Sequence, residues 1–119
     1  MSAMIVFVRP DLKVCTAATD TLIAERGGIG DGQPLVLELP GNAFMEIADG
    51  IVTLRGARTA EVAEMIYAIA QRSQCFITGE NIDVFYRPAG MTAEPDGGGL
   101  PVVDVPNAAD FHAELWGDD

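Results

Sequence analysis

Residues 44–55 read FMEIADGIVTLR, and the pair at the centre, Asp49-Gly50, decides how the chain around it folds. Asp-Gly accepts positive φ at both central positions of a type I′ turn, the turn that joins two antiparallel strands with the least loss of twist. Closing the turn there sets a register. Ala48 faces Ile51, Ile47 faces Val52, Glu46 faces Thr53 and Met45 faces Leu54. Because side chains alternate along a strand, Met45, Ile47, Val52 and Leu54 make one apolar face that calls for a cover. Phe44, Glu46, Ala48, Ile51, Thr53 and Arg55 make the other, mixed face.

Downstream, Thr59 is placed to cap a helix. Val62, Met65, Ile66 and Ile69 recur at helical spacing, with Glu61, Glu64, Ala68 and Gln71 opposite. Glu61 near the start and Arg72 near the end both suit the helix dipole. The stripe is expected to face the sheet rather than a ligand. Strands are then expected at Cys75–Thr78 and Ile82–Arg87, separated by the turn residues Gly79, Glu80 and Asn81. This arrangement puts Phe76 and Phe85 on the same face as Phe44, where they are either covered by another element or form an oligomer interface.

Upstream, Met4–Val8 is continuously apolar, as in an inner strand covered on both sides. Residues 11–26 carry Leu12, Cys15, Thr19 and Leu22 at helical spacing, and Gly27-Gly28 stops that helix. A helix there, or a partner, is expected to cover the second sheet face. Leu35–Leu39 alternates as a strand. The run Gly27–Gly32 lacks the strand-before, helix-after setting and the Gly-Lys-Ser/Thr ending of a phosphate loop. A flexible loop is expected there, with a small-ligand site between it and the sheet as the alternative.

Beyond Arg87 the composition changes. Pro88, Pro95, Pro101 and Gly97-Gly98-Gly99 read as a linker, Val102–Val105 as a short edge strand, and Asn107 as the cap of a helix from Ala108 to Trp116. Residues 88–119 hold Glu94, Asp96, Asp104, Asp110, Glu114, Asp118 and Asp119 and no Lys or Arg, within a chain of formal net charge −11. Phe111, Leu115 and Trp116 are the apolar anchors of this acidic helix, the pattern of a segment that docks into a hydrophobic groove. The groove can lie on its own domain, on a second copy or on a partner. The expected organisation is a folded body at 1–87 and an acidic, helix-tipped arm at 88–119.

The charge disfavours direct binding to nucleic acid or anionic lipid, since both need cations. It favours steering toward a basic protein. Met4–Val8 is too short for a signal peptide or a membrane span. Cys15 and Cys75 have no metal or redox spacing and fall on apolar faces, so buried free thiols in a reducing, cytoplasmic setting are expected. His112 is the only histidine and Ser2 and Ser73 the only serines. No metal cluster or nucleophile elbow is therefore spelled out, and no catalytic, cofactor or metal residue is assigned.

The segment from Asp49-Gly50 through Ile51-Val52-Thr53-Leu54-Arg55-Gly56, a helix ending at Arg72 and a strand at Ile82–Tyr86 resembles the core of a BON domain. The spacing from helix to last strand is longer than in that family. The resemblance implies a local strand-turn-strand-helix topology and carries no site.

The fold expected is α+β, a mainly antiparallel sheet of about five to six strands packed against the 59–72 helix, with an N-terminal helix and a short C-terminal helix. The function expected is a non-enzymatic acidic protein-binding module, an adaptor or inhibitor of a basic partner. Phe111, Leu115 and Trp116 would anchor it, and Asp110, Glu114, Asp118 and Asp119 would steer. The alternatives are a nucleic-acid mimic that occupies a DNA- or RNA-binding protein, and a small-ligand binder or small enzyme.

Overall fold

The computed structural model describes residues 2–26, 34–39, 42–56 and 59–116. In it, β1 (Ser2–Val8) runs through the interior of a seven-stranded sheet. Strands β2 (Leu35–Leu39), β3 (Ala43–Ala48) and β4 (Ile51–Arg55) lie on one side of it in the order β2-β3-β4-β1. Strands β5 (Phe76–Gly79), β6 (Phe85–Pro88) and β7 (Val102–Val105) continue it on the other side. All neighbours are antiparallel except β6 and β7. The class is α+β as expected, with more strands than the sequence pattern indicated.

The Asp49-Gly50 hairpin has the expected register, from Ala48 opposite Ile51 to Met45 opposite Leu54. Asp49 has φ +51° and Gly50 φ +82°, both in the left-handed region the turn demands. A Cβ on Gly50 would meet Val14 Cγ1 at 2.2 Å, so glycine is required there for space as well as for conformation.

Helix α2 (Ala60–Ser73) begins at the expected cap, where Thr59 Oγ1 accepts from the Val62 N–H at 3.2 Å. It ends on Gln74 in a left-handed conformation. Val62, Ile66, Tyr67 and Ile69 are buried against the sheet. Helix α1 (Thr16–Glu25) starts later than the spacing of Leu12 and Cys15 predicted. Leu12 has φ +68°, and Val14 instead bridges to Val8 beside the sheet. Helix α1 also lies on the opposite face from the one expected. Its Ala18, Leu22 and Ile23 join Met45, Ile47, Val52, Leu54, Ile5, Phe7 and the α2 stripe in one core. Helix α3 (Ala108–Trp116) packs beside α2 in that core. All three helices thus share one face of the sheet.

The second face carries a smaller core of Val8, Phe76, Phe85 and Met91, with Leu12, Ala93, Leu100 and Val102 packed on it. Its cover is the 89–101 segment, which the sequence read as a linker. Gly98, at φ +86°, lies over the Phe85 ring so closely that a Cβ would sit 3.1 Å from Cε2. Small residues in this stretch let backbone lie flat on aromatic rings, so a composition that reads as a linker here makes a lid of the core.

Residues 88–116 therefore belong to the same sheet and core as residues 2–87, rather than to a detached arm. Among the described residues, no helix is long and apolar enough to cross a membrane.

Candidate functional site

Three places qualify as the surface through which this chain acts: helix α3, the uncovered part of the second sheet face, and the outer edge of β2. Helix α3 was the expected site. Its cap is as read, with Asn107 Oδ1 accepting from the Asp110 N–H at 2.8 Å. Its docking groove is on its own chain. Phe111 is fully buried, with its ring 5.6 Å from that of Tyr86 in an edge-on contact and 6.1 Å from that of Tyr67. Leu115 and Trp116 are half-buried against the same core. The Tyr86 hydroxyl donates to the Glu114 carbonyl at 3.3 Å and fastens the helix end to β6. Burial, and secondarily the Glu114 charge, push the Tyr86 hydroxyl above its ordinary pKa. Phe111 is thus a core residue with no surface to offer a partner. Asp110 and Glu114 remain exposed, and Asp118 and Asp119 lie outside the described residues.

A paired-tyrosine arrangement explains the seating of α3. The Tyr67 hydroxyl donates to Val105 O at 2.8 Å and accepts from the Ala89 N–H at 2.9 Å. One side chain of α2 thereby joins the end of β7 to the turn after β6. Sequence spacing could not reveal this, since Tyr67 lies off the predicted apolar stripe.

The three phenylalanines proposed for an oligomer interface separate. They share a face as expected, but Phe76 and Phe85 are buried under Met91 and its neighbours in the same chain, with rings 5.6 Å apart. Neither is available to a second molecule. Phe44 stays half-exposed on the other half of the face, where the Arg55 guanidinium lies over its ring at 5.1 Å.

Among the described residues, that other half, over β2, β3 and β4, is the uncovered surface. Half-buried Phe44, Ala48 and Ile51 and exposed Val36 supply its apolar part. Val36 is 53% exposed. Glu38, Glu46 and Arg55 are its exposed charges. No alternation rule marks such a face as open, because a comparable mix of apolar and polar residues on β5 and β6 is covered by the 89–101 segment.

At the same end, the described lining of a cleft of about 400 Å³ includes Leu39, Ala43, Gly56, Thr59, Ala60 and Val62. Leu39 brings the end of β2 into this lining, and no described strand pairs with the outer edge of β2.

Cys15 and Cys75 are buried free thiols, as expected. Burial, and secondarily the neighbouring Cys15, push the Cys75 thiol far above its ordinary range. Cys75 Sγ also donates to Ser73 O at 3.4 Å. Its thiol is thus paired with a backbone carbonyl rather than with His112, whose ring packs edge-on to Trp116 at 5.7 Å. Among the described residues no group of three or more His, Cys, Asp or Glu side chains is placed to hold a metal ion. Gly27–Gly32, the alternative ligand loop, lies outside the described residues.

No protein-family model matches the chain, and neither a curated protein nor a solved structure matches it.

Proposed function

We propose that this chain is a non-catalytic protein-binding module, an adaptor or inhibitor, that engages a basic partner. The observation that carries the reading is the uneven cover of the second sheet face. Its β5-β6 half is sealed by the chain's own 89–101 segment, while its β2-β3-β4 half leaves Val36, Phe44 and Ile51 at the surface beside Glu38 and Glu46. Apolar surface rimmed by charge is the usual make-up of a binding patch. The net charge of −11 supports a basic partner, because opposite charge speeds encounter and excludes wrong partners.

In this reading the apolar contact moves from Phe111, Leu115 and Trp116 to the open sheet. Asp110 and Glu114 keep the steering role given to them, together with Asp118 and Asp119. The chain would work in a reducing, cytoplasmic setting, where Cys15 and Cys75 stay thiols.

The test is affinity capture with the full chain and with Phe44→Asp, run at low and high salt and with added competitor DNA. The expected result is retention of basic proteins by the native chain and their loss with Phe44→Asp. Equal retention by both would sink the open-sheet reading. Loss of all captured protein to competitor DNA would mean that the chain acts as a nucleic-acid mimic instead.

A further inference from the structure

The ladder pattern shows what the outer edge of β2 presents. A two-residue type I′ hairpin closes on a pair that exchanges both backbone hydrogen bonds, here Ala48 and Ile51. Pairs alternate from there, so Ala48, Glu46 and Phe44 bond to β4, while Ile47, Met45 and Ala43 turn their N–H and C=O toward β2. Their register partners are Leu35, Leu37 and Leu39. The same alternation carried across β4 predicts that Phe7 bonds on the β4 side of β1 and Met4 on the β5 side. Phe7 N–H does donate to Gly50 O at 2.9 Å, and Met4 O does accept from Glu80 N–H at 3.1 Å. Val36 and Glu38 are therefore the residues whose N–H and C=O groups point outward from the sheet.

Each face beside this edge has its own chemistry. Leu35, Leu37 and Leu39 are half-buried on the helix face, next to the cleft at Leu39, Ala43 and Val62. On the open face, Glu38 stands on β2 and Glu46 lies opposite Val36. The nearby cation, Arg55, is stacked on Phe44.

We propose that β2 receives an added β-strand from the basic partner, a segment in which apolar and basic residues alternate. This inference rests on the partner reading above and names its mode of binding. The backbone of the incoming segment bonds to Val36 and Glu38. Its apolar side chains continue the leucine row onto the helix face, and its Lys or Arg side chains lie opposite Glu38 and reach across Val36 toward Glu46. Charge selects this occupant over a second copy of the chain. An antiparallel copy centred on Leu37 would set its own Glu38 opposite Val36 and diagonal to Glu38, in one cross-sheet row with Glu46, which gathers like charge on this face. Strand addition supplies affinity through main-chain bonds and specificity through alternate side chains.

The probe is a short synthetic peptide alternating Val and Lys, followed by amide chemical shifts and amide exchange of the full chain. Its controls are the same peptide with alternate backbone nitrogens methylated and a Val/Glu counterpart. Shifts centred on residues 35–39 and slowed exchange at Val36 and Glu38 are expected. Val36→Pro removes an N–H that the β2–β3 ladder does not use, and should weaken binding at least about tenfold. Glu38→Lys leaves the backbone alone and should reverse the preference toward the Val/Glu peptide. Equal affinity of the methylated peptide overturns the proposal, as does absence of binding. Shifts confined to Phe44, Thr53 and Arg55 overturn strand addition but leave the basic-partner reading standing. A concentration-dependent dimer abolished by Val36→Pro would assign the edge to a second copy and overturn the proposal.

Discussion

At the scale of single residues, two hydroxyls hold elements together. Thr19 Oγ1 donates to Thr16 O at 3.0 Å and accepts from the Gly50 N–H at 2.7 Å, which ties α1 to the central hairpin turn. Tyr67 does the same for α2, β7 and the turn after β6. Removing a buried hydroxyl leaves its former partners without replacements, a loss of about 1–3 kcal/mol. Tyr67→Phe is expected to lower stability by that amount in urea titration with an unchanged denaturant slope; a change below about 0.5 kcal/mol would show that water takes over both bonds. Arg87 is the third such residue. Its guanidinium bonds Asp104 at 2.5 and 3.0 Å, Glu94 at 2.9 Å and Ala93 O at 3.0 Å, joining β6 to β7 and to the covering segment. The Arg87 hydrogen bonds hold the Asp104 carboxyl below its ordinary value of 3.8. A lowered folded-state pKa means a contribution present above 3.8 and lost as pH falls through the folded value. An NMR titration should place the Asp104 midpoint below 3.8, and Asp104→Asn should make the acid limb of the stability curve shallower. A midpoint at or above the ordinary value would contradict the pairing.

At the scale of elements, the C-terminal strand and helix behave as parts of the body. Their acidity and the Pro/Gly run before them describe their solvent side. Phe111 describes the other side, and it fills the space between Tyr67 and Tyr86. Phe111→Ala is therefore expected to cost about 3–5 kcal/mol of folding stability, measured by thermal or urea unfolding. Half-buried Trp116→Ala should cost less. Ending the chain at Arg87 removes β7, α3 and the cover of Phe76 and Phe85 together. The shortened chain should show collapsed near-ultraviolet dichroism and dye-accessible apolar surface rather than a native body lacking an arm. Native-like cooperative unfolding of that version would restore the two-part organisation. Helix α1 illustrates the same lesson from the other end. Its threonines weaken helical propensity, yet the Thr19 hydroxyl ties the helix to the hairpin turn.

At the scale of the whole molecule, the described residues cover one face of the sheet with three helices and the other with a loop over half its width. The remaining half and the β2 edge adjoin each other, so a partner that pairs with the edge would also reach the open face. Phe44→Asp should weaken partner binding by about 2 kcal/mol or more. Because Phe44 is half-exposed, stability should change little. Raising salt should slow association more than it speeds dissociation, as steering by net charge requires. An association rate independent of salt would remove the acidic surface from the mechanism.

Local rules were sufficient wherever an element is determined by its own residues. The Asp49-Gly50 turn and its register, the Thr59 and Asn107 caps, the apolar stripe of α2, and the shared face of Phe44, Phe76 and Phe85 all follow from backbone sterics and side-chain period. Which face each helix covers was not legible, because an apolar stripe states that it must be buried and not against what. The same limit applied to Phe111, whose apolarity reads alike for a core and for a partner's groove. Tertiary structure decided both by proximity. It set α1 beside α2, laid residues 89–101 on Phe76 and Phe85, and seated α3 between two tyrosines, leaving β2 and its neighbours as the open part of the sheet.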